Sequence, residues 1–283
     1  MNITSIKTKI NNKAKRLNLS PQDLMQMYFF ERILYRISIS EYKYNFIIKG
    51  GLLLSSMFED ERRTTQDMDT MLKGLEVSVE TLKKVLSNIL KIDAGDGITF
   101  EILNFRKIRE EDLYGGYRVS IKAFIDTLSV NLKIDITTGD PIIPREIEYT
   151  YKCLIDDGVI KIMAFSKYSV IAEKFETLIE TLETDTRAKD FYDIYKLMNG
   201  DIDKEKLYKA IYSTFKRRNT LNLLEDLEDR LIIIKESITL REYWDNYQRK
   251  NYYAKNISYD DFANSVENII NIIIFIKQSV QRN

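Results

Sequence analysis

The spacing of apolar positions changes twice along the chain. Leu24, Met25, Tyr28, Phe29, Ile33 and Leu34 recur at steps of three and four after the start signal Ser20-Pro21-Gln22-Asp23, which predicts a leading helical arm. From about Tyr44 to Lys161 the pattern is strand-like, with runs at Phe46 to Ile48, Gln66 to Leu72, Ile98 to Ile108, Tyr117 to Asp126, Val130 to Thr137 and Glu146 to Ile155. One helix, near Ser78 to Lys91, interrupts them. Beyond Ser166 helical spacing returns, near Lys167 to Leu182, Thr186 to Met198, Lys204 to Lys216, Leu223 to Ser237 and Tyr259 to Gln278. The expected fold class is therefore α+β: N-terminal helices and a mixed sheet over residues 1–164, then a helical domain over 165–283. That boundary rests on the switch in periodicity alone.

Composition narrows the chemistry. With 44% hydrophobic and 30% charged residues the chain reads as globular. One cysteine, Cys153, cannot form an internal disulfide, and Met1 to Lys15 carries charges where a secretory signal needs an apolar run. The apolar run Ile269 to Ile276 is far short of the roughly 20 residues that span a bilayer. A cytoplasmic protein with no membrane span is expected. Basic and acidic side chains balance at 43 each, so any nucleic-acid contact has to be local. The absence of histidine excludes His bases, Ser-His and Cys-His pairs and imidazole zinc sites. Carboxylates, lysines and arginines remain, which suit Mg²⁺ and phosphate chemistry.

The densest group of such residues is Lys49-Gly50-Gly51-Leu52, an apolar helix expected at Leu53 to Phe58, then Arg63-Thr64-Thr65-Gln66-Asp67-Met68-Asp69. Paired glycines after a strand allow close backbone approach, and a helix N-terminus just downstream offers free amides to a triphosphate. Asp67 and Asp69, two apart on a strand, project from one face. Asp135 falls on the polar face of an alternating run in which Leu132, Ile134 and Ile136 form the apolar face. Were that strand to pair beside Gln66 to Leu72, three carboxylates would converge as metal-assisted phosphoryl transfer requires; three solvated strand aspartates are the plain alternative.

Lys174 sits within the apolar stripe of its helix, four residues from both Val170 and Leu178, and needs either a partner, which a triphosphate would provide, or room to snorkel. Asp190 falls on an inward face with Arg187, whereas Lys189 and Asp193 read as an outward intrahelical ion pair. Lys216-Arg217-Arg218 and the basic, aromatic stretch from Tyr247 to Lys255 could contact RNA but are more simply solvated faces.

The order of these motifs resembles the AbiEii/AbiGii toxins, nucleotidyltransferase-like proteins of bacterial abortive-infection and toxin–antitoxin systems. The resemblance runs from Lys49 to Met198 and closes on Arg187-Ala188-Lys189-Asp190-Phe191-Tyr192-Asp193. It implies a polymerase-β-like fold, a nucleoside triphosphate donor, Mg²⁺, a growth-inhibiting role in phage defence, a separately encoded antitoxin, and an RNA acceptor, with tRNA the acceptor in some relatives. By the same resemblance Asp67 and Asp69 bind metal, Asp135 completes that site or acts as base, and Asp190 contributes to catalysis. Lys49, Gly50, Gly51, Arg63, Lys174 and Arg187 then surround the nucleotide. Leu52 departs from the family, which commonly has a hydroxyl residue there; the missing contact is worth about 0.5–1.5 kcal/mol. A nucleotide-binding toxin that does not transfer, or a two-metal phosphoesterase or nuclease, would use the same residue types.

Overall fold

The computed structural model describes residues 3–58, 63–108, 115–156, 158–184 and 187–281. It opens with helices α1 (Ile3–Leu17) and α2 (Pro21–Ile39), where the Ser20 hydroxyl accepts from the Asp23 amide and Pro21 occupies the first turn. Then come β1 (Phe46–Lys49), α3 (Gly50–Met57), β2 (Met68–Leu72), α4 (Val79–Leu90), β3 (Ile98–Ile108), β4 (Gly116–Ile125), β5 (Leu128–Thr137), β6 (Ile147–Lys152) and β7 (Val159–Ala164). Helices α5 (Lys167–Thr181), α6 (Ala188–Met198), α7 (Lys204–Arg217), α8 (Leu227–Glu236), α9 (Ile238–Lys250) and α10 (Tyr259–Gln281) complete the chain. Thr186, where the second of the C-terminal helices was expected to begin, lies outside the described residues.

The seven strands form one mixed sheet in the order β3-β4-β5-β2-β1-β7-β6, with β2–β5 and β1–β7 parallel and the other pairs antiparallel. This is the α+β class with a helical C-terminal region. β4 and β5 alternate as period-two strands with one buried face: Val119, Ile121, Ala123, Leu132, Ile134 and Ile136 are buried, whereas Arg118, Ser120, Lys122, Asn131, Lys133 and Asp135 are not. Helix α2 packs on β5 and β7 with Met27, Phe30, Ile33, Leu34 and Ile37 buried. Its buried Arg36 holds Asp96 through two hydrogen bonds of 2.9 and 2.8 Å and donates to the Ile98 carbonyl.

Contacts divide the chain into two units, one of residues 1–140 and 146–165, the other of 141–145 and 166–283. The second unit is helical around stacked Phe191 and Phe262, with ring centroids 4.3 Å apart, and buried Trp244. Three elements depart from expectation. The short helix starts at Gly50 rather than Leu53, β7 is a strand of its own, and α9 covers a segment whose apolar signal is too sparse for periodicity to mark, only Leu240 and Trp244 being buried on it. No helix among the described residues is long and apolar enough to cross a membrane.

Candidate functional site

Strand β1 runs straight into α3 at Gly50, whose φ of +65° lies in the region that side chains disfavour. A Cβ there would stand 1.8 Å from Asp69 Oδ2, so the absence of a side chain is what lets this carboxylate lie against the backbone at the helix start. Gly51 makes a similar approach possible, since its Cβ would meet Thr65 Oγ1 at 2.4 Å and Arg63 Nη1 at 3.3 Å. The two glycines thus seat Asp69 and the Arg63–Thr65 segment against the first turn of α3.

Sheet register brings the acidic positions together. Asp69 pairs with Lys49 across β1 and with Asp135 across β5, and Asp135 pairs in turn with Arg118 of β4. Thr65 donates to Asp67 Oδ1 at 3.2 Å and to the Asp67 carbonyl at 3.1 Å, fixing the aspartate just before β2 begins. Helix α2 braces the same segment: Gln66 donates to Asp23 Oδ1 at 2.9 Å and Gln26 donates to the Gln66 carbonyl at 2.8 Å. All three aspartates are partly exposed.

Arg118, which sequence reasoning passed over, stands among them. Its Nε and Nη2 donate to the two carboxylate oxygens of Asp135 at 2.7 and 2.6 Å, and Nη2 lies 3.9 Å from Asp67 Oδ2. The hydrogen bond to Asp135 and the charges of Asp135, Asp67 and Asp69 hold the guanidinium above the usual arginine range, against a smaller opposing effect of burial. Among the described residues no three Asp, Glu or Cys side chains stand close enough together to hold one ion, and Asp135 has both carboxylate oxygens on Arg118. Asp67 and Asp69 remain as a pair of hard oxygen donors. That set fits Mg²⁺, which usually takes one or two protein carboxylates and completes its shell with substrate phosphates and water.

Lys49 does not point its charge at open space. Its Nζ lies 2.6 Å from Asp140 Oδ2 and 5.0 Å from the Phe165 ring centroid, while Thr137 donates to the same Asp140 oxygen at 3.1 Å. Asp140 is a second residue the sequence reading missed; it follows β5 by three positions, and only the parallel pairing of β5 with β2 carries it toward β1.

In the second unit, Lys174 is buried between Asp190 and Asp193, with Nζ 2.7 Å from Asp193 Oδ2, and Arg187 Nη2 approaches Asp190 Oδ2 at 3.0 Å. Asp193 is fully buried on Lys174 while Lys189 is exposed, which corrects the expected outward Lys189–Asp193 pair: the apolar face of α6 rotates Asp193 inward, where Lys174 supplies its counter-charge. Burial alone would raise the Asp190 carboxyl, yet Lys174 and Arg187 outweigh it and hold the group below the usual carboxylate range.

A family model described as "Nucleotidyl transferase AbiEii toxin, Type IV TA system" matches residues 32–268. A search of curated proteins gives no match. Among solved structures, the chain is similar to a candidate nucleotidyltransferase from H. pylori, with 16% identity, TM-score 0.48 and 91% of this chain and 99% of that one covered. JHP933 from Helicobacter pylori gives 17%, 0.47, 93% and 98% for the same measures. An antigenic nucleotidyltransferase-like protein from Paracoccidioides brasiliensis gives 14%, 0.41, 72% and 91%.

Proposed function

Because the chain belongs to the AbiEii family of nucleotidyl transferase toxins of type IV toxin–antitoxin systems, we propose that it moves a nucleoside monophosphate from a nucleoside triphosphate to a hydroxyl of a cytoplasmic RNA, tRNA included, with Mg²⁺ held at Asp67 and Asp69. The observation that carries this reading is the seat of Asp69 against Gly50 at the start of α3, with Asp135 beside it in register. That arrangement sets carboxylates for a cation next to backbone amides for phosphates, the two things a triphosphate requires.

In the proposed reaction the phosphates lie on the amides of the first turn of α3, with Arg63 against Gly51 as a further donor. The acceptor hydroxyl attacks the α-phosphorus, the bond from that phosphorus to its bridging oxygen breaks, and pyrophosphate leaves. Asp135, oriented by the two hydrogen bonds from Arg118, takes the hydroxyl proton. Asp67 and Asp69 would hold Mg²⁺, which would supply charge neutralisation for the triphosphate. Lys49 acts through its ion pair with Asp140, holding the β1 end of the site. The phosphate-binding and catalytic roles that the family resemblance implies for Lys174, Arg187 and Asp190 are a separate proposal. Growth arrest through RNA modification, relieved by a separately encoded antitoxin, would serve abortive infection.

The test is incubation of the purified protein with total RNA, Mg²⁺ and each α-³²P-labelled nucleoside triphosphate, beside Asp67→Asn and Asp69→Asn. Label in RNA that disappears in both variants, with unfolding midpoints unchanged, supports the reading. Nucleotide binding without label or pyrophosphate release would replace it with a binding module; label retained by either variant would remove these aspartates from the site.

A further inference from the structure

A cleft of about 840 Å³ opens beside Gln66, the neighbour of Asp67, between the middle of α1, the first turns of α2 and the first half of β5. Its polar lining is unusual for a chain with no net charge: Lys7, Lys133, five amides and no carboxylate among the described residues. Three of those amides, Asn11, Gln22 and Asn131, make no side-chain hydrogen bond within the described residues. Helix α1 above it carries five basic and no acidic residues. The cleft continues onto a sheet face. Ser129, Asn131, Lys133 and Asp135 share one face of β5, and register places Phe124, Lys122, Ser120 and Arg118 beside them on β4, with Glu101 and Arg106 beyond on β3. Lys122 lies over the Phe124 ring at 5.3 Å, and neither Lys122 nor Lys133 forms an ion pair among the described residues.

Cations without a carboxylate partner suit a phosphate backbone, while amides that both donate and accept suit base edges, which are open only where bases are unpaired. We propose that this cleft and the adjoining β5–β4 face bind the acceptor as a single strand of RNA. Lys7, Lys122 and Lys133 meet its phosphates, and Asn11, Gln22 and Asn131 meet its bases. From Ser129 to Asp135 the path is roughly 20 Å at about 3.3 Å per residue, and it ends at the carboxylate that takes the hydroxyl proton. The inference rests on the transferase reading above for the purpose of this site, but its test does not.

The probe is a fluorescein-labelled single-stranded RNA of mixed sequence, titrated by anisotropy at several KCl concentrations against the full chain, Lys7→Glu/Lys133→Glu, and Lys83→Glu as an exposed control on α4. The double variant is expected to bind about tenfold or more weaker, with the slope of log K against log salt shallower by about 0.7 for each lysine lost, and the control to match wild type. In the labelling assay the KM for RNA rises while kcat and nucleotide KM hold. Wild-type affinity and slope in the double variant, or no binding of RNA by the wild-type chain, overturns the cleft. RNA bound through these lysines without any label transferred would leave the cleft standing and sink the transferase reading instead.

Discussion

Arg118 grips Asp135 across the β4–β5 pair with two hydrogen bonds of 2.7 and 2.6 Å while reaching within 3.9 Å of Asp67. It therefore plays two opposed parts in the proposed site. It orients the carboxylate assigned as base, and its charge competes with a cation for the same acidic cluster. Arg118→Ala is expected to lower kcat about tenfold or more, since general-base catalysis is worth roughly 10²–10⁴-fold and a base that loses its orienting hydrogen bonds forfeits part of that, while moving the Mg²⁺ midpoint to lower concentration. Arg118→Lys keeps the charge but loses the paired geometry, so its midpoint should stay near wild type with kcat still reduced. Activity and Mg²⁺ titrations on both variants measure this; unchanged kcat in Arg118→Ala would free Asp135 from the assigned role.

Gly50 is the position where backbone conformation and site chemistry meet. An alanine there would need the same φ of +65° and would put its Cβ 1.8 Å from Asp69 Oδ2. Gly50→Ala should cost about 1–3 kcal/mol in stability from backbone strain and abolish labelling by displacing Asp69. Gly95, also at φ +65° but with nothing within 4 Å of where a Cβ would stand, is the control: Gly95→Ala carries only the backbone cost and should retain activity. Chemical unfolding and labelling of the two variants separate strain from displacement.

Much of this was legible from the order of residues, and the exceptions have a common cause. Period-two alternation marked β4 and β5, capping residues marked α2 and the paired glycines marked the turn after β1, because each depends on neighbours in sequence. Arg118 and Asp140 were missed because their meaning depends on which strands pair and in what register, which no local pattern encodes. Periodicity marks Lys174 as needing a partner and leads to a triphosphate, whereas Asp190 and Asp193 fill that place because of how α5 packs on α6. Asp193 was placed outward for the same reason.

The Lys49–Asp140 pair separates a structural lysine from a phosphate-binding one. Both side chains are at most 7% exposed, so removing one leaves the other's charge buried. Lys49→Met is expected to destabilise by about 3–5 kcal/mol, and Lys49→Met/Asp140→Leu to recover most of that loss. Urea unfolding measures the stabilities. If Lys49 acts only through Asp140, the nucleotide KM of the refolded double variant stays within a few-fold of wild type. A large KM increase with stability restored would assign Lys49 to the phosphates instead.

Asp190 gives the helical unit a pH dependence whose sign follows from its surroundings. Burial opposes its charge, but Lys174 and Arg187 hold its folded pKa below the unfolded value of about 3.9. Ionised Asp190 therefore contributes stability that is fully present above the unfolded pKa and is lost as pH falls through the folded one. Asn at this position cannot ionise, so Asp190→Asn should be less stable than wild type by about 1.5–3 kcal/mol near neutral pH, the scale of a lost hydrogen bond to a charged group. The remaining Asp193 contact to Lys174 limits the loss. The gap should be constant from pH 7 to 5 and narrow below pH 4, where the wild-type carboxylate begins to protonate. Thermal unfolding of both proteins across that range reads it directly, and a gap that widens toward acid would mean that Asp190 is held above its unfolded pKa. Assayed at pH 7 on protein still folded, Asp190→Asn also bears on the role the family resemblance implies. Labelling lost with the fold intact would give this aspartate a part in transfer, and labelling retained would confine it to holding Lys174.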